Sequence, residues 1–183
     1  MANEKKLDCV ILGLLNDEDL TGYEIKHRMD TTLKMFWGAS YGSIYPTLKM
    51  LEENRLAAKT EVQENGRKKN IYSITAKGRQ HLKQWLHLPV EKDELRYETM
   101  LKLFFGDSVG EEITLQHIQA FEEKTNKELN FLLSNADILE RIAEEDSAHF
   151  YYLQTARFGI KVFTAYLEWC KEAKQALQER QNG

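Results

Sequence analysis

The sequence predicts a mainly α-helical protein with one β-hairpin in its first half and an all-helical second half. Three observations predict it. Apolar residues recur at helical spacing from Leu7 to Leu51 and again beyond residue 95, a β-branched and aromatic stretch around Asn65-Gly66 breaks that period, and the charge changes sign between the halves. Residues 1–88 carry 14 Lys+Arg against 11 Asp+Glu, and residues 89–183 carry 11 against 18, within a total of -4. A basic half and an acidic half suggest two jobs, the basic one facing polyanions.

The first helix is read from Leu7, Val10, Ile11, Leu14 and Leu15, an amphipathic spacing that the polar run "NDEDL" stops. The second opens on a capping box. Thr21 and Glu24 stand three apart, Leu20 and Ile25 flank them as a hydrophobic staple, and Ile25, Met29, Leu33 and Phe36 give the helix an inner face. The third runs from Ser40 to Asn54 with Ile44, Leu48 and Leu51 inward, although it contains Pro46.

Two conformations fit that proline. In one, the carbonyl deprived of a partner belongs to Gly42, whose peptide tilts aside so that the helix continues with a local bend. In the other, the chain turns at Tyr45-Pro46 and a shorter helix follows. The first leaves Ser40 to Tyr45 projecting, with four hydroxyls suited to a groove wall or a phosphate backbone.

"LAAKTEVQENGRKKNIYSIT" then reads as a β-hairpin with Asn65-Gly66 at its turn and Arg67, Lys68 and Lys69 at its tip. Thr75 caps a fourth helix with Leu82, Trp85 and Leu86 on its apolar side. Three helices, a hairpin and a helix in about 80 residues are the order of a winged helix-turn-helix. A boundary near "HLPVEKDE" gives two domains, residues 1–88 and 89–183. Beyond it the pattern predicts helices from Leu95 to Phe105, from a second capping box at Ser108 and Glu111 to about Ile142, and from about Asp146 to Arg180.

The chain resembles the PadR family of bacterial transcriptional regulators. The matching stretches are "ILGLL", "TGYEI", Trp37, "SIYPTLKMLEENRL" and "GRKKNIYSITAKGR" running on to Trp85, and the helical remainder looks like the longer subfamily with an extended C-terminal dimerisation domain. Where members usually show a glycine and an apolar pair before the wing, this chain has Asn54-Arg55-Leu56-Ala57, with Asn54 tolerant of the left-handed turn.

The resemblance implies a repressor that binds double-stranded DNA, with Ser40, Tyr41, Gly42, Ser43, Tyr45 and Lys49 on the recognition helix and Arg67, Lys68 and Lys69 on the wing. The basic tip independently suits phosphate contacts; a solvated charge run is its bland alternative. The last helix carries Tyr152, Ala156, Gly159, Phe163, Tyr166, Cys170, Ala173 and Leu177 at alternating spacings of four and three, a seam expected to join two copies, with an intramolecular bundle as the alternative. A two-fold dimer favours a palindromic operator. The resemblance also implies a small, phenolic or aromatic effector near Tyr97, Met100, His149, Tyr152 and Arg157.

No enzyme motif is present: the chain lacks a G-x-S-x-G elbow, a phosphate-binding glycine loop and an H-E-x-x-H helix. The 5 histidines show no pair at i, i+4, so no metal site or cofactor is expected. Cys9 and Cys170 read as free, neutral thiols of a reducing cytoplasm, and no stretch approaches the roughly 18 apolar residues of a membrane span. A winged-helix module that binds protein instead of a specific operator is the second functional class.

Overall fold

The structure, a computed structural model, describes residues 6–33, 37, 41–64, 67–90, 97–144 and 146–182. Its trace divides into two compact units, Met1–Asp93 and Glu94–Gly183. The first contains α1 (Leu7–Asp17), β1 (Leu20–Thr21), α2 (Gly22–Thr31), α3 (Tyr41–Glu53), β2 (Ala57–Glu64), β3 (Arg67–Ile74) and α4 (Ala76–Leu86). The second contains α5 (Glu98–Phe104), a 3-10 turn over Gly106–Ser108, α6 (Gly110–Ile142) and α7 (Ser147–Asn182).

In the first unit the inward positions of every helix meet. Leu7, Ile11, Leu12 and Leu15 of α1, Ile25 and Met29 of α2, and Ile44, Leu48 and Leu51 of α3 are buried together with Tyr72 and Ile74 of β3 and Leu82 of α4. Burying one such aliphatic side chain stabilises by about 1.5–3 kcal/mol, so this cluster supplies the unit's main cohesion. Leu86, expected on the inner face of α4, is 66 % exposed because the helix ends there.

The three strands form an antiparallel sheet in the order β1-β3-β2. The hairpin register runs from Ala57 opposite Ile74 to Glu64 opposite Arg67, and Leu20 pairs with Tyr72. β1 is too short to leave an alternating signal, so only the pairing reveals it. The turn at Asn65-Gly66 lies outside the described residues.

The exit of α3 departs from expectation in an instructive way. The left-handed residue is Arg55, at φ 57, and not Asn54. The Leu56 N–H donates to the Leu51 carbonyl at 2.8 Å and the Arg55 N–H to the Glu52 carbonyl at 2.9 Å, the paired bonds of a Schellman stop with Leu51 and Leu56 packed across it. Asn54 serves differently: its side-chain amide donates to the Met50 carbonyl at 2.8 Å.

The second unit is built on α6 and α7, of 33 and 36 residues, each on the order of 50 Å long and packed as an antiparallel pair. The capping box expected at Ser108 and Glu111 does not form. Ser108 belongs to the 3-10 turn, Gly110 starts α6 at φ +81, and the Glu111 carboxylate meets Arg180 Nε at 3.1 Å instead of turning back. α7 begins as expected, with Asp146 Oδ1 accepting from the Ala148 N–H at 2.9 Å. The helix expected from Leu95 begins at Glu98, residues 91–96 lying outside the described set.

Two substitutions test the α3 stop. Arg55→Gly removes a left-handed side-chain penalty of about 1–2 kcal/mol, offset in part by glycine's greater chain entropy, and is expected to raise stability by about 0.5–1 kcal/mol. Gly78→Ala is expected to lower it sharply, because a Cβ there would collide with the Leu56 backbone oxygen. Urea midpoints measure both.

Candidate nucleic-acid interface

The surface grows from three local devices. The first is the start of α2, where Thr21 Oγ1 accepts from the Glu24 N–H at 3.2 Å and Glu24 Oε2 accepts from the Thr21 N–H at 2.7 Å. These bonds hold the Glu24 carboxyl below its ordinary pKa, and the nearby Lys69 charge adds to the effect.

The second device is α3, which runs unbroken through Pro46. Ile44 and Leu48 are buried while Gly42, Tyr45, Pro46 and Lys49 are exposed, so the proline and the Gly42 carbonyl it deprives both lie on the outer side. Water can take the place of the missing donor there. The Thr47 hydroxyl donates to the Ser43 carbonyl at 2.7 Å, adding support within the same turn.

The third is the hairpin. Lys68, Lys69 and Asn70 are exposed on β3. Lys68 Nζ lies 2.7 Å from Glu61 Oε1 across the hairpin, an exposed pair that contributes about 0–1 kcal/mol and exchanges readily for another anion.

The three devices meet in an open depression of about 520 Å³ lined by Thr21, Gly22, Tyr23 and Glu24 of the α2 start, Tyr45 of α3, and Lys69, Asn70 and Tyr72 of β3. Gly22 makes room for it: a side chain at that position would press on the Tyr45 ring. Tyr23, 66 % exposed, and Asn70 belong to this surface but carried no signal as isolated residues in the sequence. The pairing of Leu20 with Tyr72 brings them to it.

Of the residues expected to touch DNA, Gly42, Tyr45, Lys49, Lys68 and Lys69 lie on exposed positions, and Ser43 is half-buried. Tyr41 opens α3 and Arg67 opens β3. Ser40 lies outside the described residues.

The residues expected at a subunit seam are partly buried within one chain and partly exposed. Ala156, Gly159 and Cys170 are buried within one chain, Ala156 against Ala136 of α6, and Tyr166 packs on Phe121 of α6 and Tyr97. α6 therefore covers this side of α7, a packing the four-three spacing fits equally well. Phe163 touches the Tyr166 ring, and Ala173 and Leu177 are half-buried. Tyr152 is 40 % exposed, beside Phe150, Tyr151 and Phe158 at 52, 67 and 62 %.

The five residues expected around an effector fall into two groups. The Tyr97 hydroxyl hydrogen-bonds to that of Tyr166 at 2.5 Å, with Met100 on the same short helix, and burial pushes the Tyr97 phenol well above its usual pKa. His149 bonds to the Ile142 carbonyl at 3.1 Å and lies near the Tyr152 ring, while Arg157 pairs with Glu140 at 2.9 Å. Seventeen residues of α7 separate His149 from Tyr166, about 25 Å along the helix, so one chain does not gather all five.

Both thiols are buried and held neutral. Desolvation, with Asp8 beside it, pushes Cys9 to about 12, and desolvation with Glu122 nearby raises Cys170. No helix among the described residues is long and apolar enough to cross a membrane.

Comparison with known proteins gives a consistent set. The transcriptional regulator PadR-like family matches residues 11–84, and the virulence activator alpha C-term family matches residues 95–178. The negative transcriptional regulator PadR of Bacillus subtilis is 30 % identical over 171 residues, 88 % of this chain and 93 % of that protein. A PadR-like transcriptional regulator from Bacillus cereus superposes with a TM-score of 0.79 at 27 % identity, covering 94 % of this chain and 98 % of the other. B. subtilis PadR in complex with operator DNA gives 0.75 at 27 %, over 93 % and 98 %, and the same protein with p-coumaric acid gives 0.69 at 25 %, over 94 % and 98 %.

The Glu24 contacts carry a pH signature. A lowered folded-state pKa means that the carboxylate stabilises above its unfolded value, about 4.3, and that the contribution disappears as pH falls through the lower folded value. Glu24→Ala is therefore expected to cost stability at pH 7 and nothing in strong acid, as read from thermal midpoints across pH.

Proposed function

Because the chain belongs to the PadR-like family of transcriptional regulators, we propose that it is a homodimeric, sequence-specific DNA-binding repressor of the cytoplasm, released from its operator by a small aromatic effector. It is a regulator and not an enzyme. The observation that carries the proposal is the convergence of Tyr45 on α3 and Lys69 on the wing at one open surface, in a fold shared with a relative solved on operator DNA.

In this reading α3 lies in the major groove with Tyr41, Gly42, Ser43, Tyr45 and Lys49 facing the bases, Ser40 at its start. Hydroxyls from serine and tyrosine discriminate bases weakly, so local DNA shape shares the reading. Arg67, Lys68 and Lys69 reach the neighbouring backbone, where Lys68 exchanges Glu61 for a phosphate.

Dimerisation is assigned to α7, through its expected seam from Tyr152 to Leu177, with exposed apolar side chains of α6 and α7 such as Phe131, Ile138, Tyr151 and Phe158 available to a second copy. A second copy covering them gives two recognition helices related by a two-fold axis and hence a palindromic operator. The effector is drawn to the Tyr97–Phe121–Tyr166 cluster, whose edge-to-face rings and paired hydroxyls suit a phenol. B. subtilis PadR, solved with p-coumaric acid, supports that ligand class.

Footprinting of the DNA upstream of its own gene tests the reading. A protected palindrome that survives competitor DNA is expected; absence of any complex in low salt would leave a protein-binding module as the function. In the Lys68→Ala/Lys69→Ala double variant, affinity is expected to fall on all duplexes alike, and the slope of log affinity against log salt to shrink by about 0.9 per lost phosphate contact. An unchanged slope removes the wing from the interface.

A further inference from the structure

We propose that Asp8, Cys9 and His81 form a zinc site that ties α1 to α4 within the winged-helix unit. Asp8 and Cys9 are consecutive on α1, His81 lies on α4, and one ligand atom from each lies within 4.8 Å of the other two. His81 Nε2 stands 3.2 Å from Asp8 Oδ2. Two ligands at the usual zinc distances of about 2.0–2.1 Å and a tetrahedral angle lie about 3.3 Å apart, so this edge of the coordination shell already exists. Bringing the sulfur to its zinc distance of about 2.3 Å asks for a side-chain adjustment of about 1 Å.

The donor set selects the metal. One sulfur, one ring nitrogen and one carboxylate oxygen suit a borderline ion, whereas calcium and magnesium favour shells made of oxygen alone. Three protein ligands leave a fourth tetrahedral position. The His81 side chain is 40 % exposed, so that position can open towards solvent and take water, while Cys9 closes the inner side at 4 % exposure. Arg79 Nη1, which bonds to Asn16 Oδ1 at 3.1 Å, already joins the same two helices about two turns further along α1.

Without metal, the buried Cys9 thiol is neutral and the Asp8 carboxylate stands beside His81. Zinc binding breaks the S–H bond, releases that proton to solvent, and forms Zn–S, Zn–N and Zn–O bonds with no change of oxidation state. The high proton affinity of the buried thiol lowers the apparent affinity but not the fit. The site stands apart from the DNA-facing surface and does not depend on the regulatory reading.

Cobalt(II) is the direct probe. The full-length protein, stripped with chelator, is expected to bind one equivalent per chain, with a thiolate-to-cobalt charge-transfer band and the visible bands of a tetrahedral ion, both displaced by zinc. Saturating zinc is expected to raise the melting temperature by about 5 °C. Cys9→Ser should abolish the charge-transfer band, and His81→Gln, at a half-exposed position that leaves folding intact, should weaken cobalt binding at least about tenfold. A wild-type protein without the band, a Cys9→Ser protein that keeps it, or a His81→Gln protein that binds as tightly would each overturn the proposal.

Discussion

One backbone oxygen holds the winged-helix unit in register. The Leu56 carbonyl, just past the left-handed stop of α3, accepts from both the Thr75 N–H and the Thr75 hydroxyl at 3.1 Å, and Gly78 is bare because that oxygen occupies the space of its side chain. The single hydrogen of that hydroxyl is shared with the Arg55 carbonyl at 2.8 Å, its oxygen caps the Gly78 N–H at 3.0 Å, and Lys77 reaches the Asn54 carbonyl at 3.0 Å. The end of α3, the start of β2, the end of β3 and the start of α4 thus share one small polar knot. Because α3 and the wing leave it in fixed directions, Tyr45 and Lys69 can face a common surface.

The legible parts of the sequence were those with a short-range cause. Thr21 and Glu24 are three residues apart and close their box wherever the chain takes them, and Gly42 sits at the one carbonyl that Pro46 deprives. What was hidden depends on distant partners. Glu111 leaves its expected cap for Arg180 on another helix, and the left-handed turn falls on Arg55 because Leu51 and Leu56 must meet across it. A heptad-like stripe on α7 likewise states that a helix packs, not against which one; α6 of the same chain meets it at Ala156 and Tyr166, while Tyr152 stays exposed. Asp8 and His81, 73 residues apart, come together only through the packing of α1 on α4.

An acidic protein can carry a DNA-facing surface if its anions are local and exchangeable. Glu61 on Lys68 holds one wing lysine in place at little cost, since an exposed pair contributes about 0–1 kcal/mol and a phosphate is an equal or better acceptor, and the Glu24 carboxylate feels the Lys69 charge nearby. Glu24 is the more committed of the two, because its carboxylate also caps α2. Electrostatics and helix capping are thereby joined in one side chain beside the depression.

Amide hydrogen exchange with and without an operator duplex tests directly whether α3 and the wing act as one surface. Slowed exchange is predicted together in residues 42–49 and 68–70, with the buried helix α1 unchanged. Protection confined to one of the two segments, or found only beyond residue 94, would contradict the account.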